Sequence, residues 1–428
     1  MHTAKDWLVH EKEVKANPEP MMLPHSWTLE DHARRNGEEH YDGKKYPLLC
    51  YVMNGQVKLF CTDPEICQEL CTTKNNQIDK DGMAEALFSN IKGRSFLFGK
   101  STEDWNLKRK HCAHAFFKAP MYDMQENFKR CVMKSINKWI KEIKESKDGK
   151  TTIDICNEFM HLYSRNIITI TCGGEDHSTT EFPLQIRDPN NWNNLITKQT
   201  PMWKGFNLMI EDDINQMALR LSNPVNYFWR WTQKLYPLGK FQNATDNNGR
   251  QMRDYIRKLV LKRIDYNANN PNNKIEFDFL NHILSDKEAF PVLDDVVDAV
   301  CDFFSAAAQT TQAGSVTTQC HLIKEPEDCE KVRKEFEELK ANQIANGVNL
   351  DGLTKEEQLN KLVNADTCEQ LPYLGYVSYE ALRYQSPSST ASDVEFLEDM
   401  EVCNYKFKKG DKLGFIMDKG LHHNTSQW

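Results

Sequence analysis

The spacing of apolar residues predicts a mainly helical chain. Residues 124–145 and 153–174 carry apolar side chains at three- and four-residue steps, which is the period of an amphipathic helix. Residues 104–117 give a further helical pattern. From about 185 to 290, turns rich in tryptophan, asparagine and proline separate helices such as GRQMRDYIRKLVLKRI. No internal repeat is visible, and the pattern favours one large helical domain.

The longest helical candidate is PVLDDVVDAVCDFFSAAAQTTQAGSVTTQCHL, residues 291–322. It has a proline entry, an acidic first turn and a broad apolar face. Its middle is different, because Ser305 to Ala308 are small and the next three residues, Gln309 to Thr311, are polar. We call residues 305–311 the waist of this helix. The small side chains would let a flat ligand approach the backbone, while threonine hydroxyls bend the helix by bonding to carbonyls one turn earlier. The alternative is a close helix crossing with the same threonine bonds, since small residues are common at crossings.

Strand signals lie near both ends of the chain. Residues 46–70 contain two short β-rich runs around Asn54-Gly55, which is a strong local hairpin signal. Pro64 then stands in the first turn of a predicted helix. Residues 402–420 predict a second hairpin that turns at Lys409-Gly410. The expected architecture is therefore a large helical domain with small β-sheets near both ends.

Glu380 and Arg383 lie three residues apart in LPYLGYVSYEALRYQSPSST, residues 371–390, which is otherwise mostly apolar or aromatic. On a helix, this spacing usually means an exposed ion pair worth about 0.2–0.5 kcal/mol. The flanks predict instead a half-buried pair, in which each charge needs its partner and further hydrogen bonds. The apolar and aromatic flanking residues are Leu371, Tyr373, Leu374, Tyr376, Val377, Tyr379 and Leu382.

Composition is that of a soluble globular protein, since 39% of the 428 residues are hydrophobic and 27% are charged. The apolar runs fall short of the roughly 18 residues that a membrane span needs. The net charge of -8 argues against nucleic acid or an anionic membrane surface as the main partner. Residues 1–45 are polar and punctuated by proline, so we expect a loose lead-in without a secretory signal.

Cysteine and histidine patterns add little chemistry. The 13 cysteines are better interpreted as free thiols than as disulfides, because nothing directs the chain into an oxidising compartment. Cys61, Cys67 and Cys71 lack zinc-type spacing and are expected to be core or helix-face thiols. His111 and His114 could bind a metal, but nothing completes such a site, so exposed or helix-end histidines are the simpler interpretation.

Five blocks of the sequence, in order, resemble the cytochrome P450 family. Glu380 to Arg383 resemble its E-x-x-R helix, and residues 104–117 resemble its W-x-x-x-R helix, with Trp105 and Arg109 in the matching places. The waist, SAAAQTT, resembles its A-G-x-[DE]-T-[TS] motif. Each motif alone is weak, but five in the right order make chance a poor explanation. The other two blocks, similar to the family's first and late hairpins with their following segments, are 51–70 and 403–428.

The resemblance implies the cytochrome P450 fold over residues 46–428, built around a haem. In such proteins Trp105 and Arg109 would face a haem propionate, for which a guanidinium is a natural partner. Glu380 and Arg383 would form a structural lock that binds a later loop and holds the proximal side of the pocket. They would not be acid–base catalysts.

On the distal side, the resemblance implies that Ala306 and Ala307 leave room for oxygen and substrate. Thr310 would hydrogen-bond the oxygen or its water and help to deliver protons. Gln309 departs from the family, which usually has an acid at this place. An amide orients water but supplies no proton, so we expect delivery through Thr310 to be slower or differently routed.

The second departure concerns the iron. The family's cysteine loop, which supplies the axial thiolate, would lie beyond Trp428. Cys403 is the only cysteine after Arg383, and its place inside the predicted hairpin does not suit an axial ligand. The sequence is therefore expected to be incomplete at the C-terminus, to lack an N-terminal membrane anchor, and to contain no metal ligand.

The predicted function is that of a haem-dependent monooxygenase, which inserts one atom of O2 into an apolar organic substrate. The resemblance implies that NADPH would supply electrons through a reductase that docks near Lys108 and Lys110. Taken alone, the lysine-rich runs are most simply interpreted as solvated faces. The protein would be a monomer on the cytoplasmic side, soluble as it stands and bound to the endoplasmic reticulum if an anchor precedes it. The alternative is an inactive P450-like binding or scaffold protein, which the missing thiolate favours.

Overall fold

Helices dominate the structure, a computed structural model that describes residues 47–53, 56–82, 93–94, 96–172, 175–210, 240–271, 278–388 and 393–415. The expected lead-in and the segment 421–428 lie outside these residues. Among the described helices, none is long and apolar enough to cross a membrane. The α-helices are α1 (Pro64–Cys71), α2 (Glu103–Ala113), α3 (Lys118–Glu145), α4 (Ile155–Cys172), α5 (202–210), α6 (Lys240–Asn269), α7 (Phe279–Ser285), α8 (Leu293–Lys324), α9 (Pro326–Ala345), α10 (Lys355–Leu362), α11 (Ala365–Cys368) and α12 (Pro372–Tyr384).

The strands join the two ends of the described chain. A five-stranded sheet has the order β1-β2-β9-β6-β3, and β2 and β9 pair in parallel, with Leu59 opposite Leu413. Two separate hairpins are formed by β4 with β5 and by β7 with β8. The strands are β1 (Leu48–Met53), β2 (Gln56–Cys61), β3 (Ile78–Lys80), β4 (Glu181–Asp188), β5 (Asn191–Pro201), β6 (Val394–Phe396), β7 (Met400–Val402), β8 (Tyr405–Phe407) and β9 (Lys412–Phe415).

Local signals explain the first elements well. The predicted first hairpin is confirmed, since Met53 of β1 is opposite Gln56 of β2. The start of α1 is also as predicted, because the Asp63 carboxylate accepts the backbone N–H groups of Glu65 at 2.7 Å and Ile66 at 3.2 Å. Pro64 then occupies the first turn, where its missing N–H costs nothing.

The predicted mainly helical fold with small sheets near both ends is confirmed, but the sequence analysis missed a long hairpin that β4 and β5 form in the middle of the chain. Alternation of Phe182 and Leu184 with exposed residues was a visible signal for β4. The late hairpin turns at Cys403-Asn404, not at Lys409-Gly410, because both turn residues adopt the positive φ angles of a two-residue hairpin turn. The later glycine instead leads β8 towards β9, which belongs to the other sheet.

Two apolar clusters form the core. The larger one surrounds α8 and includes side chains from α4, α6 and the β4–β5 hairpin, with Phe206 and Phe304 in contact at its centre. The smaller cluster lies between α1 and the five-stranded sheet and is centred on Leu70 and Phe396. Burial of α8 among these elements makes it the central helix of the molecule.

A polar group around His161 of α4 ties this helix to α5 and to the described residues before β4. His161 stacks on Trp203 with ring centroids 5.2 Å apart, and its Nε2 lies 3.3 Å from the Ser178 hydroxyl. Burial, with the positive charge of Arg165, lowers the pKa of His161 from 6.5 to about 4. The neutral imidazole is therefore the form that this contact accommodates.

His161 should make the protein less stable in mild acid. Its folded pKa is below its unfolded pKa, so its contribution is complete above pH 6.5 and is lost as the pH falls towards 4. The slope from this group is at most about 1.4 kcal/mol per pH unit. Urea unfolding midpoints across this range should fall less steeply for His161→Phe, which retains an aromatic ring against Trp203. The same change at exposed His114 is the control, and equal slopes for the wild type and His161→Phe would contradict the assignment.

Candidate functional site

Three buried carboxylates follow one another along α8: Asp295, Asp298 and Asp302. They are three or four residues apart and therefore share one side of the helix. Between them they are bonded to α2, to α6 and to residues that precede α2, so the row connects α8 to its surroundings. We call these residues the acid row. The sequence analysis missed this feature. Acidic residues three and four apart in an apolar helix indicate carboxylates that lie on one side of it and need partners.

The first acid binds the lysine of α2. The Lys108 ammonium lies 2.8 Å from an Asp295 oxygen and 2.7 Å from an Asp104 oxygen. The prediction that this basic run is a solvated face was wrong for Lys108, of which only 6% is exposed, because the α2 backbone directs it onto α8. Burial lowers its pKa, but the bonds from the two carboxylates outweigh burial, so the net shift is upward.

The next two acids hold the described residues 93–94 and 96–98, which form a segment before α2. Asp298 accepts the backbone N–H of Arg94 at 2.8 Å, and Asp302 accepts that of Leu97 at 3.1 Å. Arg253 of α6 donates to the other oxygen of Asp298. Gly93, with φ of +61°, passes so close that a Cβ there would lie 2.1 Å from an Asp298 oxygen. The acid row therefore fixes the backbone of this segment.

Trp105 is fixed by the same segment. Its indole N–H donates to the Phe96 carbonyl at 3.0 Å, and the Lys80 ammonium lies 3.7 Å from its ring centroid. Arg109, one turn later on α2, is exposed, and its guanidinium carbon is 5.9 Å from the same ring. The two residues predicted to face a propionate are therefore adjacent, with the guanidinium at the surface of α2.

The waist of α8 is open. Ala306, Ala307 and Gln309 are partly exposed and Thr310 is exposed. The Thr310 hydroxyl donates to the Ala306 carbonyl at 2.7 Å, as both interpretations of the waist predicted. The close crossing occurs further along, where a Cβ on Gly314 would lie 3.2 Å from Leu382 of α12. The small residues of the waist therefore leave surface accessible and do not make this crossing.

Aromatic side chains border the waist on one side. Phe303, one turn before Ala307, lies 3.9 Å from Phe279 and 5.6 Å from Phe116, measured between ring centroids. Phe96 is 6.5 Å from Phe303, so the segment held by the acid row contributes to this border. The border and the waist together form a largely apolar surface next to a hydroxyl and an amide.

Glu380 and Arg383 pair on α12 as the spacing predicted. The guanidinium makes two bonds to the carboxylate, at 2.6 and 2.7 Å, and the bond to Glu380 raises the pKa of Arg383. The prediction of a half-buried pair is confirmed for Arg383, whose side chain is 29% exposed, whereas Glu380 is more exposed, at 49%. The aromatic flanks do not cover it, because Tyr376 and Tyr379 are themselves exposed. The later loop predicted to bind the pair is not among the described residues.

The N-terminus of α12 is held by α9. The Glu335 carboxylate accepts the backbone N–H groups of Tyr373 at 2.6 Å and Leu374 at 3.0 Å. The Tyr373 hydroxyl donates to Asp328 at 2.7 Å. These bonds supply the cap that the proline entry of α12 lacks, and they fix the helix that carries the Glu380–Arg383 pair.

Two of the described cysteines, Cys112 and Cys403, are held as thiols by their surroundings. Burial raises the pKa of Cys112 to about 12, so it is a thiol in the core. Cys403 donates to Glu69 at 3.1 Å, and burial with this carboxylate raises its pKa to about 11. His111 stacks on His282 and is paired with Asp286, and nowhere in the described ranges do three side chains gather that could hold a metal.

Comparisons with known proteins agree on one family. A family model described as cytochrome P450 matches residues 17–428. The chain is 27% identical over 143 residues to (+)-menthofuran synthase of Mentha piperita, which is 33% of this chain and 25% of that protein. It is 30% identical over 149 residues to Cytochrome P450 82A1 of Pisum sativum, covering 34% and 24%. It is 22% identical over 332 residues to iridoid oxidase of Catharanthus roseus, covering 76% and 56%. The matches thus span about a quarter to a half of these relatives.

Removing the buried ammonium should destabilise the protein strongly. Lys108→Met leaves Asp295 buried without its cation, and breaking a buried pair in this way typically costs about 3–5 kcal/mol. Lys110→Met, on the exposed side of α2, should change the free energy of unfolding by less than about 0.5 kcal/mol. Urea unfolding measures both. Adding Asp295→Asn to Lys108→Met should recover part of the loss, and equal effects of the two single changes would refute the assignment.

Gly93 and Gly149 offer a matched test of the acid row. Both have positive φ, at +61° and +67°, but only Gly93 lies against Asp298. A Cβ added to Gly149 would meet no described heavy atom within 4 Å beyond its chain neighbours. Gly149→Ala should cost about 1 kcal/mol from backbone strain alone. Gly93→Ala should cost at least about 2 kcal/mol more, because the carboxylate must move. Thermal or urea unfolding compares the two, and equal losses would exclude the close contact.

Proposed function

The chain belongs to the cytochrome P450 family, and from this premise we propose that it is a haem-dependent monooxygenase. The proposed reaction inserts one atom of O2 into an apolar organic substrate. The observation that carries the proposal is the accessible waist of α8, where Ala306 and Ala307 lie between an aromatic border and the Thr310 hydroxyl. Such a surface accommodates a flat ring and an apolar molecule side by side.

Haem is a flat apolar ring with two carboxylates, and the described residues fit its face and edge. Methyl side chains at Ala306 and Ala307 permit close approach to α8, and the Arg109 guanidinium suits a propionate. Trp105 supports the position of Arg109 through its bond to the Phe96 carbonyl. The axial position is assigned to none of the described cysteines. When bound, the haem supplies the activation of oxygen, which protein side chains alone do not provide.

We assign proton handling to Thr310 and Gln309. The Thr310 hydroxyl donates to a backbone carbonyl at rest, so it can turn outwards and donate to a ligand at the cost of that one bond. Gln309 can hold a water through its amide but cannot release a proton. Protons must therefore reach Thr310 from solvent, to which it is exposed.

The aromatic border supports an apolar substrate. Phe303 and Phe116 lie beside the waist, and burial of apolar surface contributes about 25 cal/mol of binding free energy for each Å2 removed from water.

Electrons would come from NADPH through a reductase. Exposed Lys110 is the part of the basic run that is left to contact such a partner, since Lys108 is paired with Asp295 and Arg109 is assigned to the haem. Charge reversal at Lys110 therefore tests docking, whereas the same change at Lys108 would test stability.

The experiment that tests haem binding is a titration of the purified chain with haemin, followed by absorbance in the Soret region. Arg109→Gln should weaken binding by about tenfold, which corresponds to one lost charge-assisted bond of about 1.4 kcal/mol. Lys110→Gln is the control and should bind as the wild type does. Absence of saturable haem binding in the wild-type chain would refute the proposal and favour the inactive binding or scaffold protein. A carbon monoxide spectrum of the reduced complex then reports whether the ligand is a thiolate.

In the haem-bound enzyme with its reductase, Thr310 should control how much product is formed for each NADPH consumed. Thr310→Ala removes the hydroxyl, and loss of a positioned proton donor typically costs about 100-fold or more in rate. Product formed for each NADPH consumed should fall, and hydrogen peroxide should rise. Thr310→Ser retains a hydroxyl and is the matched control. Equal product yields for the Ala and Ser variants would contradict the assignment to Thr310.

A further inference from the structure

Three thiols lie where β2 meets α1. Cys61 is the last residue of β2 and is completely buried, whereas Cys67 is half-buried in the middle of α1. Cys71, one turn after Cys67 on the same helix, is exposed. The smaller apolar cluster surrounds the first two. The thiols therefore extend from the core to the surface.

The two inner sulfur atoms are in direct contact. Their Sγ atoms are 3.8 Å apart, with the Cys67 thiol donating to the Cys61 sulfur. The Cys61 thiol in turn donates to the Asp63 carbonyl at 3.5 Å. A disulfide requires sulfur atoms about 2.05 Å apart, so the two sulfur atoms must move closer together before a bond can form. We propose that Cys61 and Cys67 form a reversible dithiol–disulfide pair that responds to peroxide.

The environment gives the two cysteines different tasks. Cys67 is accessible to a small oxidant, and its pKa is lowered despite burial because the Cys61 thiol can donate to the Cys67 thiolate. Cys61 is shielded, and the contact with Cys67 together with burial raises its pKa. Cys67 is thus the thiol that is oxidised first, and Cys61 is the thiol that resolves the product.

The chemistry balances with one molecule of hydrogen peroxide. The Cys67 thiolate attacks one peroxide oxygen, the O–O bond breaks, and Cys67 sulfenic acid and hydroxide are formed. The proton that the Cys67 thiol released on ionising converts this hydroxide into water. The Cys61 sulfur then attacks the sulfenic sulfur, the S–O bond breaks, and the Cys61 proton leaves with the hydroxide as a second water. The two thiols are oxidised by two electrons and the peroxide is reduced. An external dithiol reverses the bond by exchange.

Other interpretations of this contact are less consistent with the structure. Structural zinc needs four ligands, and the described residues contain no group of three candidate ligands here or elsewhere. A Cys67–Cys71 bond would have to join consecutive turns of α1, where Cβ atoms are about 5–6 Å apart and a disulfide needs about 3.5–4.5 Å. Cys403 is engaged with Glu69, and burial with this carboxylate raises its pKa. The structure thus assigns the disulfide to one pair.

The experiment treats the full chain with hydrogen peroxide, denatures it, blocks remaining thiols with iodoacetamide and digests it without reduction. Trypsin with Glu-C cleaves after Lys58, Glu65, Glu69 and Lys74, which separates the three cysteines onto peptides 59–65, 66–69 and 70–74. Mass spectrometry should find 59–65 joined to 66–69, with Cys71 alkylated. Dithiothreitol should restore the separate peptides.

Two variants make the test specific. Cys71→Ser should form the same link to the same extent, whereas Cys67→Ser should form none and leave Cys61 alkylatable after denaturation. The midpoint of thermal unfolding of the oxidised wild type should rise by about 2 °C, and Cys67→Ser should lack this rise. A link that includes Cys71, or Cys67 sulfinic acid beside an unmodified Cys61, would overturn the proposal. So would the absence of a link at peroxide concentrations that oxidise Cys71.

Discussion

Buried carboxylates on α8 are the constraint on which the central part of the structure depends. A charged group removed from water is costly unless a partner and hydrogen bonds replace the solvent. Asp295, Asp298 and Asp302 meet this requirement with an ammonium, a guanidinium and backbone N–H groups that come from three other parts of the chain. Apolar packing holds these elements together without direction, whereas the acid row fixes how they are oriented on the helix.

The candidate site inherits its geometry from this arrangement. The segment that the acid row holds carries the Phe96 carbonyl, and this carbonyl orients the Trp105 indole beside Arg109. Because α8 also carries the waist, the acid row fixes the position of α2 relative to the waist. A haem bound between Arg109 and the waist would therefore enter a surface prepared by charges that do not themselves touch it. Rigid support of this kind is what positioned chemistry requires.

A second unit, the five-stranded sheet, brings the beginning and the end of the described chain together. Parallel pairing of β2 with β9 places Cys61 opposite Phe415, next to the cluster that α1 covers. The proposed thiol pair lies at this junction, far along the chain from the residues of α8. A covalent bond there would tie α1 to the sheet without altering the acid row. The proposed thiol pair and the proposed haem site thus lie in different parts of the fold.

The sequence by itself determined features that depend on a few neighbouring residues, such as the helical periods, the Asn54-Gly55 hairpin and the start of α1. The order of its motifs along the chain also indicated the family. The sequence could not determine which charges are buried. Lys108 and Lys110 are neighbours in the same basic run, yet only the first meets Asp295, which lies 187 residues further along. Likewise, aromatic flanks suggested cover for Glu380 that the fold does not provide. Local patterns act through backbone geometry, whereas burial depends on which distant surfaces meet, and only the tertiary structure decides that.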